Sequence, residues 1–391
     1  MNKSIAILTT GHPAFDERIF YKFAHSFSRH GCRVKIISSY SDPDILSTES
    51  KRHNFPVEGV PIEVAGINEN DKKDRHRKIA CFTDHLDKFR PDVVICCEPM
   101  LLLAANRYKK KIKSPILIFS DITEWYPDNY VSKFSGLKYL IMYASMTLFN
   151  IYATNLADRL IIGETGKAAR YKLLSPLKKK TIIGYYPVLE YFTYSPPPFD
   201  GKVFTICFSG ILSPERGVIR VIDVASELAN RFPSVRIRLK LFGRFRNAEE
   251  KQAVLLATEN NKNAEYIFAD WTEYTNISEV LRDTDICIDL REGNFIYRNS
   301  LPIKIFEYMA CGKPVIYPDI EPIRNELNVE EFGCLVDTAN ISAVADKIAC
   351  YISDNTLLLK HSLRARELTE SKYNWSVLEP LLLQTIETLC V

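Results

Sequence analysis

The stretch YSPPPFDGKVFTICFSG, Tyr194 to Gly210, divides the chain and sets how each side of it is read. Three consecutive prolines, Pro196 to Pro198, remove backbone donors and stiffen the segment, so it reads as an interdomain linker. VFTICFSG then forms a short apolar run that ends at a glycine, and it restarts a pattern already present upstream. There, IAILTT, RVKIISS, DVVICC, PILIFS and RLIIGE alternate with longer polar periodic segments, including a helical candidate from Asp16 to His30. Downstream, VRIRLKLFG, AEYIFAD, DICIDL, KPVIYPD and CLVD repeat the rhythm. Strands of this kind are buried on both faces of a parallel sheet. The expected fold class is therefore α/β, with two Rossmann-like domains facing a central cleft. Their spans are 1–195 and 202–370, and residues 371–391 form a terminal helix that packs back toward the N-terminal domain. A length of 391 residues fits two cores better than one.

Composition narrows the function classes. Lys and Arg total 51 against 48 Asp and Glu, a balance too even for a nucleic-acid-binding protein. The local runs KKKIK from Lys109 and KKK from Lys178 face solvent, or anionic lipid headgroups. The N-terminus passes from MNKS straight into a strand without a secretory pattern, so a cytoplasmic location is the expectation. Cys96, Cys97, Cys207 and Cys287 sit inside apolar runs as core residues. The apolar stretch Leu137 to Ala153 is interrupted by Lys138, Ser145, Thr147 and Asn150, short of a spanning helix. It reads as a buried or groove-lining helix, with a surface resting on the inner face of a membrane as the alternative.

Chemistry concentrates in two C-terminal segments. In NSLPIKIFEYMACGKPVI, Asn299 to Ile316, Ser300 is a candidate cap for a helix carrying Lys304 and Glu307 near one face. A helix start presents amides to an anion, Lys304 adds a point charge, and Glu307 can accept two hydrogen bonds from a vicinal diol. The competing reading is an ordinary surface ion pair. In CFSGILSPERGVIRV, Gly210 and Gly217 allow close backbone approach, and Arg216 stands at a helix start. Neither GxGxxG nor GxxxxGK[ST] is present, which removes the usual anchor of a dinucleotide or ATP site.

These segments resemble the retaining glycosyltransferases of GT-B fold, whose members are similar to glycogen synthase and bacterial mannosyltransferases (glycosyltransferase group 1, family 4-like). SGILSPERG resembles the donor-phosphate loop, LPIKIFEYMACGKPVI the donor helix and its following strand. HPAFDERIFYKFAHSFSRHGCRVKII and EFGCLVD carry the resemblance across both domains. It implies that Gly210, Arg216, Asn299, Ser300, Leu301, Lys304 and Glu307 bind the donor. Glu307 resembles the second carboxylate of the family's E-x7-E pattern, and Asn299 replaces the first. Ile211 stands where an arginine is common, so Lys304 would supply the second charge beside Arg216. On the acceptor side, FSDITEWYPDNY resembles a loop with Asp-x-His-Glu, here Asp121, Ile122, Thr123 and Glu124. Because Thr123 cannot act as a base, Asp121, Glu124 or His12 is expected to position the acceptor hydroxyl. Trp125 and Tyr126 offer aromatic surface to a sugar or pack internally.

The implied reaction is transfer of a sugar from a nucleotide-diphosphate sugar to a glycan or lipid-linked acceptor in cell-surface polysaccharide biosynthesis. Arg216 and Lys304 stabilise the departing diphosphate. No cofactor or metal is expected: Asp283 and Asp285 only superficially form a DxD motif, and His53, His76 and His85 are scattered. Competing classes are a GT-B sugar-nucleotide epimerase and a noncatalytic sugar-nucleotide-binding partner.

Overall fold

The computed structural model describes residues 3–39, 62–67, 74–291 and 293–387. The chain divides into two compact units, Met1–Tyr185 together with Ser376–Val391, and Tyr186–Trp375.

The first unit holds a seven-stranded sheet of β1 (Ser4–Thr9), β2 (Arg33–Ser38), β3 (Ile62–Gly66), β4 (Val93–Cys96), β5 (Leu117–Ile122), β6 (Arg159–Ile162) and β7 (Lys179–Ile182). Its order is β3-β2-β1-β4-β5-β6-β7. Every pairing is parallel, with Ile7 of β1 opposite Ile36 on one side and Ile95 on the other. Ile5, Ile7, Val94, Ile95, Ile118 and Phe119 are fully buried, which is why these strands read as continuous apolar runs. β3 and β7 escape that reading because they are the edges. Their sequences IEVAG and KKTI carry charge, which suits a strand with one unpaired side.

The second unit holds β8 (Val203–Ile211), β9 (Arg236–Arg244), β10 (Glu265–Asp270), β11 (Ile286–Ile288), β12 (Val315–Pro318) and β13 (Gly333–Val336). They form a second parallel sheet in the order β10-β9-β8-β11-β12-β13. Each sheet therefore reverses its winding once, between β1 and β4 in the first and between β8 and β11 in the second. A crevice opens beyond the carboxyl ends of the strands at such a point.

Three elements differ from expectation. The helical candidate after β1 is π-helical over Glu17–Ala24 and α-helical only over His25–Arg29. The wider turn brings residues five apart together, and Lys22 Nζ lies 2.5 Å from Glu17. The proline run is no free tether: it lies within the second unit, where Phe199 joins the core and its amide donates to Asp285 at 2.8 Å. Finally, the helix Gly136–Asn155 has only Asn150, Ala153 and Thr154 buried, so of the buried or groove-lining reading the buried half is corrected, while Asn150 and Thr154 do line a cavity. Among the described residues, no helix is long and apolar enough to cross a membrane.

Cys96, Cys207 and Cys287 are fully buried. Burial pushes the thiols of Cys96 and Cys287 well up, as for inert core residues. The helix Trp375–Glu387 closes the described chain. Its Leu382 and Ile386 are buried, and Arg159 donates to the Thr385 carbonyl at 3.2 Å.

Candidate functional site

In the first unit the crevice between β1 and β4 is a cavity of about 280 Å³. Gly11 and His12 enter from the end of β1, Glu98 from the end of β4, and Asp121, Thr123 and Glu124 from the end of β5. Glu98 was not singled out in the sequence, yet it organises the β1 turn by accepting from the amides of Thr10 at 2.7 Å and Gly11 at 2.8 Å. Burial raises its pKa, against the opposing pull of His12.

His12 faces Asp16, with Nδ1 3.5 Å from Oδ2. The other carboxylate oxygen of Asp16 caps the helix start through the amides of Arg18 and Ile19. Burial acts to lower the His12 pKa, but the Asp16 hydrogen bond and the charges of Asp16, Glu98 and Glu124 outweigh it and push the group up to about 9. At neutral pH His12 is an imidazolium and a donor.

Asp121 is buried, and its two oxygens receive Nε and Nη2 of Arg18, each at 2.8 Å. Arg18 Nη1 also donates to the carbonyls of Ile183 and Gly184, tying together the ends of β1, β5 and β7. Glu124, by contrast, is exposed. The Thr123 hydroxyl is buried at the cavity wall with no hydrogen-bond partner among the described residues. Tyr126 stacks edge-on with Tyr130 in the lining. Trp125 packs inward instead, beneath Lys167 and Arg170.

In the second unit Gly210 is the penultimate residue of β8, where φ is +133°. A Cβ built there would lie 2.2 Å from Lys304 Nζ, so the glycine makes room for the ammonium, which donates to the Ser209 carbonyl at 2.6 Å. The chain then turns at Ser213, whose hydroxyl accepts from the Arg216 amide, and the helix Val218–Arg231 begins after Gly217. A side chain at Gly217 would strike the Leu290 carbonyl at 2.1 Å.

Arg216 lies over the Tyr297 ring at 4.5 Å, and Arg291 lies over the same ring at 5.5 Å. Arg291 follows β11, is held by both oxygens of Asp289, and had no sequence motif to mark it. Lys304 completes a cluster of three cations. Burial lowers its pKa to about 8, with Asp289 and Glu307 opposing the shift and Arg291 and Arg216 adding to it. Glu307 is itself buried, so the pair does not lie on an open surface.

Asn299 closes the short helix Phe295–Asn299 and donates to the Phe295 carbonyl at 2.7 Å. Ser300 follows as the C-terminal cap of that helix. It does not cap the helix Ile303–Ala310, whose N-cap position is Pro302; Leu301, between them, is buried. Asp283 pairs with Lys240, and Asp285 accepts from the amides of Phe199 and Thr205, so both act within the fold. No group of three His, Cys, Asp or Glu side chains converges among the described residues, and His53 lies outside them.

Two such domains define the GT-B fold, and solved structures of that fold align along the whole chain. Sucrose-phosphate synthase from Thermosynechococcus elongatus superposes with a TM-score of 0.73 at 15% identity, covering 99% of each chain. Anabaena HepE in complex with UDP-glucose gives 0.71 at 15% identity, covering 99% of this chain and 100% of its own. Residues 195–369 match the family model of the glycosyl transferases group 1. Over 186 residues the chain is 25% identical to a phosphatidyl-myo-inositol mannosyltransferase of Mycobacterium leprae, covering 47% of this chain and 46% of the relative. The chain spans about half the length of the curated relatives it matches. It is a GT-B-fold protein whose second half is similar to the glycosyl transferases group 1.

Proposed function

We propose that the protein is a retaining glycosyltransferase that moves a sugar from a nucleotide-diphosphate sugar to a hydroxyl of a glycan or lipid-linked acceptor. Its place is cell-surface polysaccharide biosynthesis at the cytoplasmic side of the membrane. The observation that carries the reading is the cation cluster of Arg216, Arg291 and Lys304 at the β8/β11 crevice, where Gly210 lets an ammonium reach the strand end. Cations fixed in a partly desolvated crevice stabilise a diphosphate more as its charge develops on departure than in the intact donor. Glu307 would hold the ribose diol, Asn299 to Leu301 the sugar side, and the amides of the donor helix the phosphates. In the first unit, the cavity beside His12, Asp121, Thr123 and Glu124 would receive the acceptor. His12, as an imidazolium, would donate to an acceptor oxygen, leaving Glu124 as the accessible carboxylate to accept its proton.

The test offers a panel of nucleotide sugars with mixed glycan acceptors and follows the products by mass spectrometry, then determines anomeric configuration by NMR. A glycosylated acceptor with retained configuration supports the proposal. Inverted configuration would remove the retaining mechanism, and donor binding without any acceptor product would favour the noncatalytic reading.

A further inference from the structure

The helix Gly136–Asn155 packs Phe149 and Ala153 on the core but leaves most of its apolar residues on the outside. Its inward side also carries polar groups: Asn150 Nδ2 donates to the Tyr171 hydroxyl at 2.9 Å, and the Thr154 and Ser175 hydroxyls share a bond of 2.8 Å. Its outward side carries Leu137, Ile141, Leu148 and Tyr152 at helical spacing, with Leu140 alongside. These five are 72%, 56%, 68%, 58% and 61% exposed, in that order. A helix that is apolar on its outer face normally buries that face against another element.

The neighbouring helix Thr165–Leu174 continues the surface. Arg170 of that helix donates to the Tyr143 hydroxyl at 2.8 Å, and Leu173 and Leu177 stand 84% and 92% exposed. The unpaired exposed charge on this face is mostly lysine, and Asp128 at its edge is taken up by Arg170 at 2.5 Å. No Asp or Glu occurs from Asn129 to Ala157 or from Thr165 to Leu189, while Lys133, Lys138, Lys172 and Lys179 are exposed.

We propose that this face docks on an anionic lipid bilayer, with the leucines and Tyr152 at the headgroup–acyl boundary and the lysines on lipid phosphates. An apolar stripe flanked by lysines is the pattern of a helix lying in the plane of the interface. Long lysine stems keep their charge at headgroup level while covering apolar surface. A second copy of the chain fits poorly, because a two-fold contact would set the same lysines against each other. The inward side of this helix lines the 280 Å³ cavity through Asn150 and Thr154. One helix thus separates bilayer from cavity, a short path for an acceptor held on a lipid. The inference adds a surface to the proposed function and rests on that reading only for the acceptor.

The test is co-sedimentation of the full chain with vesicles of POPC alone and of POPC with about one third POPG, an anionic surface that lysines recognise. Binding is expected to the POPG vesicles and to weaken in high salt. Lys133→Glu with Lys138→Glu should weaken it at least ~25-fold, at roughly fivefold for each lysine lost. Leu140→Gln with Ile141→Gln should remove the binding that survives high salt. Leu173→Gln with Leu177→Gln, on the neighbouring element, gives an independent reading should the first apolar pair fail to fold by thermal melting. No binding to either vesicle, or equal binding unaffected by all three double variants, would overturn the proposal. So would a dimer, detected by sedimentation equilibrium, that the leucine variants abolish. Transfer assays with a soluble acceptor are separate: vesicle binding without transfer would sink the enzyme and leave the docking face standing, and the reverse outcome would do the opposite.

Discussion

Lys304 should make diphosphate binding dependent on pH in a range where few other groups in the second unit titrate. Its pKa near 8 lies below the ordinary lysine value because burial disfavours the ammonium. A bound diphosphate favours the ammonium, so the complex holds the proton to a higher pH than the free protein. Affinity should therefore be level below pH 8 and fall above it. About one free molecule in ten keeps the proton at pH 9, which predicts binding roughly tenfold weaker there than at pH 7. Lys304→Met should weaken binding at pH 7 by about 10- to 150-fold, the range for a charge-assisted contact of roughly 1.5 to 3 kcal/mol, and should flatten the profile. Gly210→Ala should act likewise through the backbone, since its Cβ would meet Lys304 Nζ at 2.2 Å. Calorimetry of a nucleoside diphosphate in buffers of different ionisation enthalpy reads both affinity and proton uptake, and the variant cancels the titration of the ligand itself. Wild-type affinity that stays flat from pH 7 to 9, or a variant that keeps the wild-type slope, would refute the assignment.

Glu307→Gln should weaken donor binding by roughly 1 to 3 kcal/mol while leaving the thermal midpoint close to wild type, and an unchanged dissociation constant would move the ribose contact elsewhere. Asp121→Asn breaks one side of a buried ion pair with Arg18, so about 3 kcal/mol of stability and roughly 6 to 12 °C in Tm should be lost. Glu124→Gln should instead lower kcat with Tm unchanged, and the opposite pattern in the two variants would reverse their roles. His12 has a folded pKa raised to about 9, so its stabilising interaction with Asp16 is complete below about pH 6.5, the unfolded value, and is lost as pH rises through 9. The Tm difference between wild type and His12→Asn should shrink over that window, and a difference that grows with pH would contradict the pairing.

The strands that could be read from the sequence are those whose burial leaves no ambiguity. β1, β4, β8 and β11 lie inside their sheets and are written mainly in apolar residues, aliphatic in β4 and β11 apart from one cysteine each, with two phenylalanines in β8. β7 reads as a basic surface run because an edge strand needs charge to stay unpaired, and KKTI meets that need at the expense of the apolar signal. The π-helical turn was hidden for another reason. ERIFYKFA has the composition of an ordinary amphipathic helix, and its wider winding is set by the tertiary fit of a buried Lys22, which no local propensity encodes.

Much the same division holds for the candidate site. Gly210, Arg216, Lys304 and Glu307 sit in two segments with strong local patterns, and the structure brings the first three together with Tyr297 and Arg291. Arg291 and Glu98 carry no such pattern, being single charged residues after short strands. What marks them is strand order. β11 lies beside β8, and β4 beside β1, so the residues leaving β11 and β4 enter the crevices opened by the reversal of winding. In the sequence β8 and β11 are separated by two further strands, and nothing along the chain says that those two pair on the far side of β8. Once that order is known, a charged residue just beyond either strand is a natural place to look for ligand contacts. On that ground Arg291 joins Arg216 in the proposed diphosphate contact, although Asp289 already holds it. Arg291→Ala should therefore weaken diphosphate binding, and it should also release Asp289 to lower the effective charge of the crevice. Calorimetry would then show a loss at least as large as that of Arg216→Ala, whereas a smaller loss would make Arg291 only the support that holds Tyr297 in place.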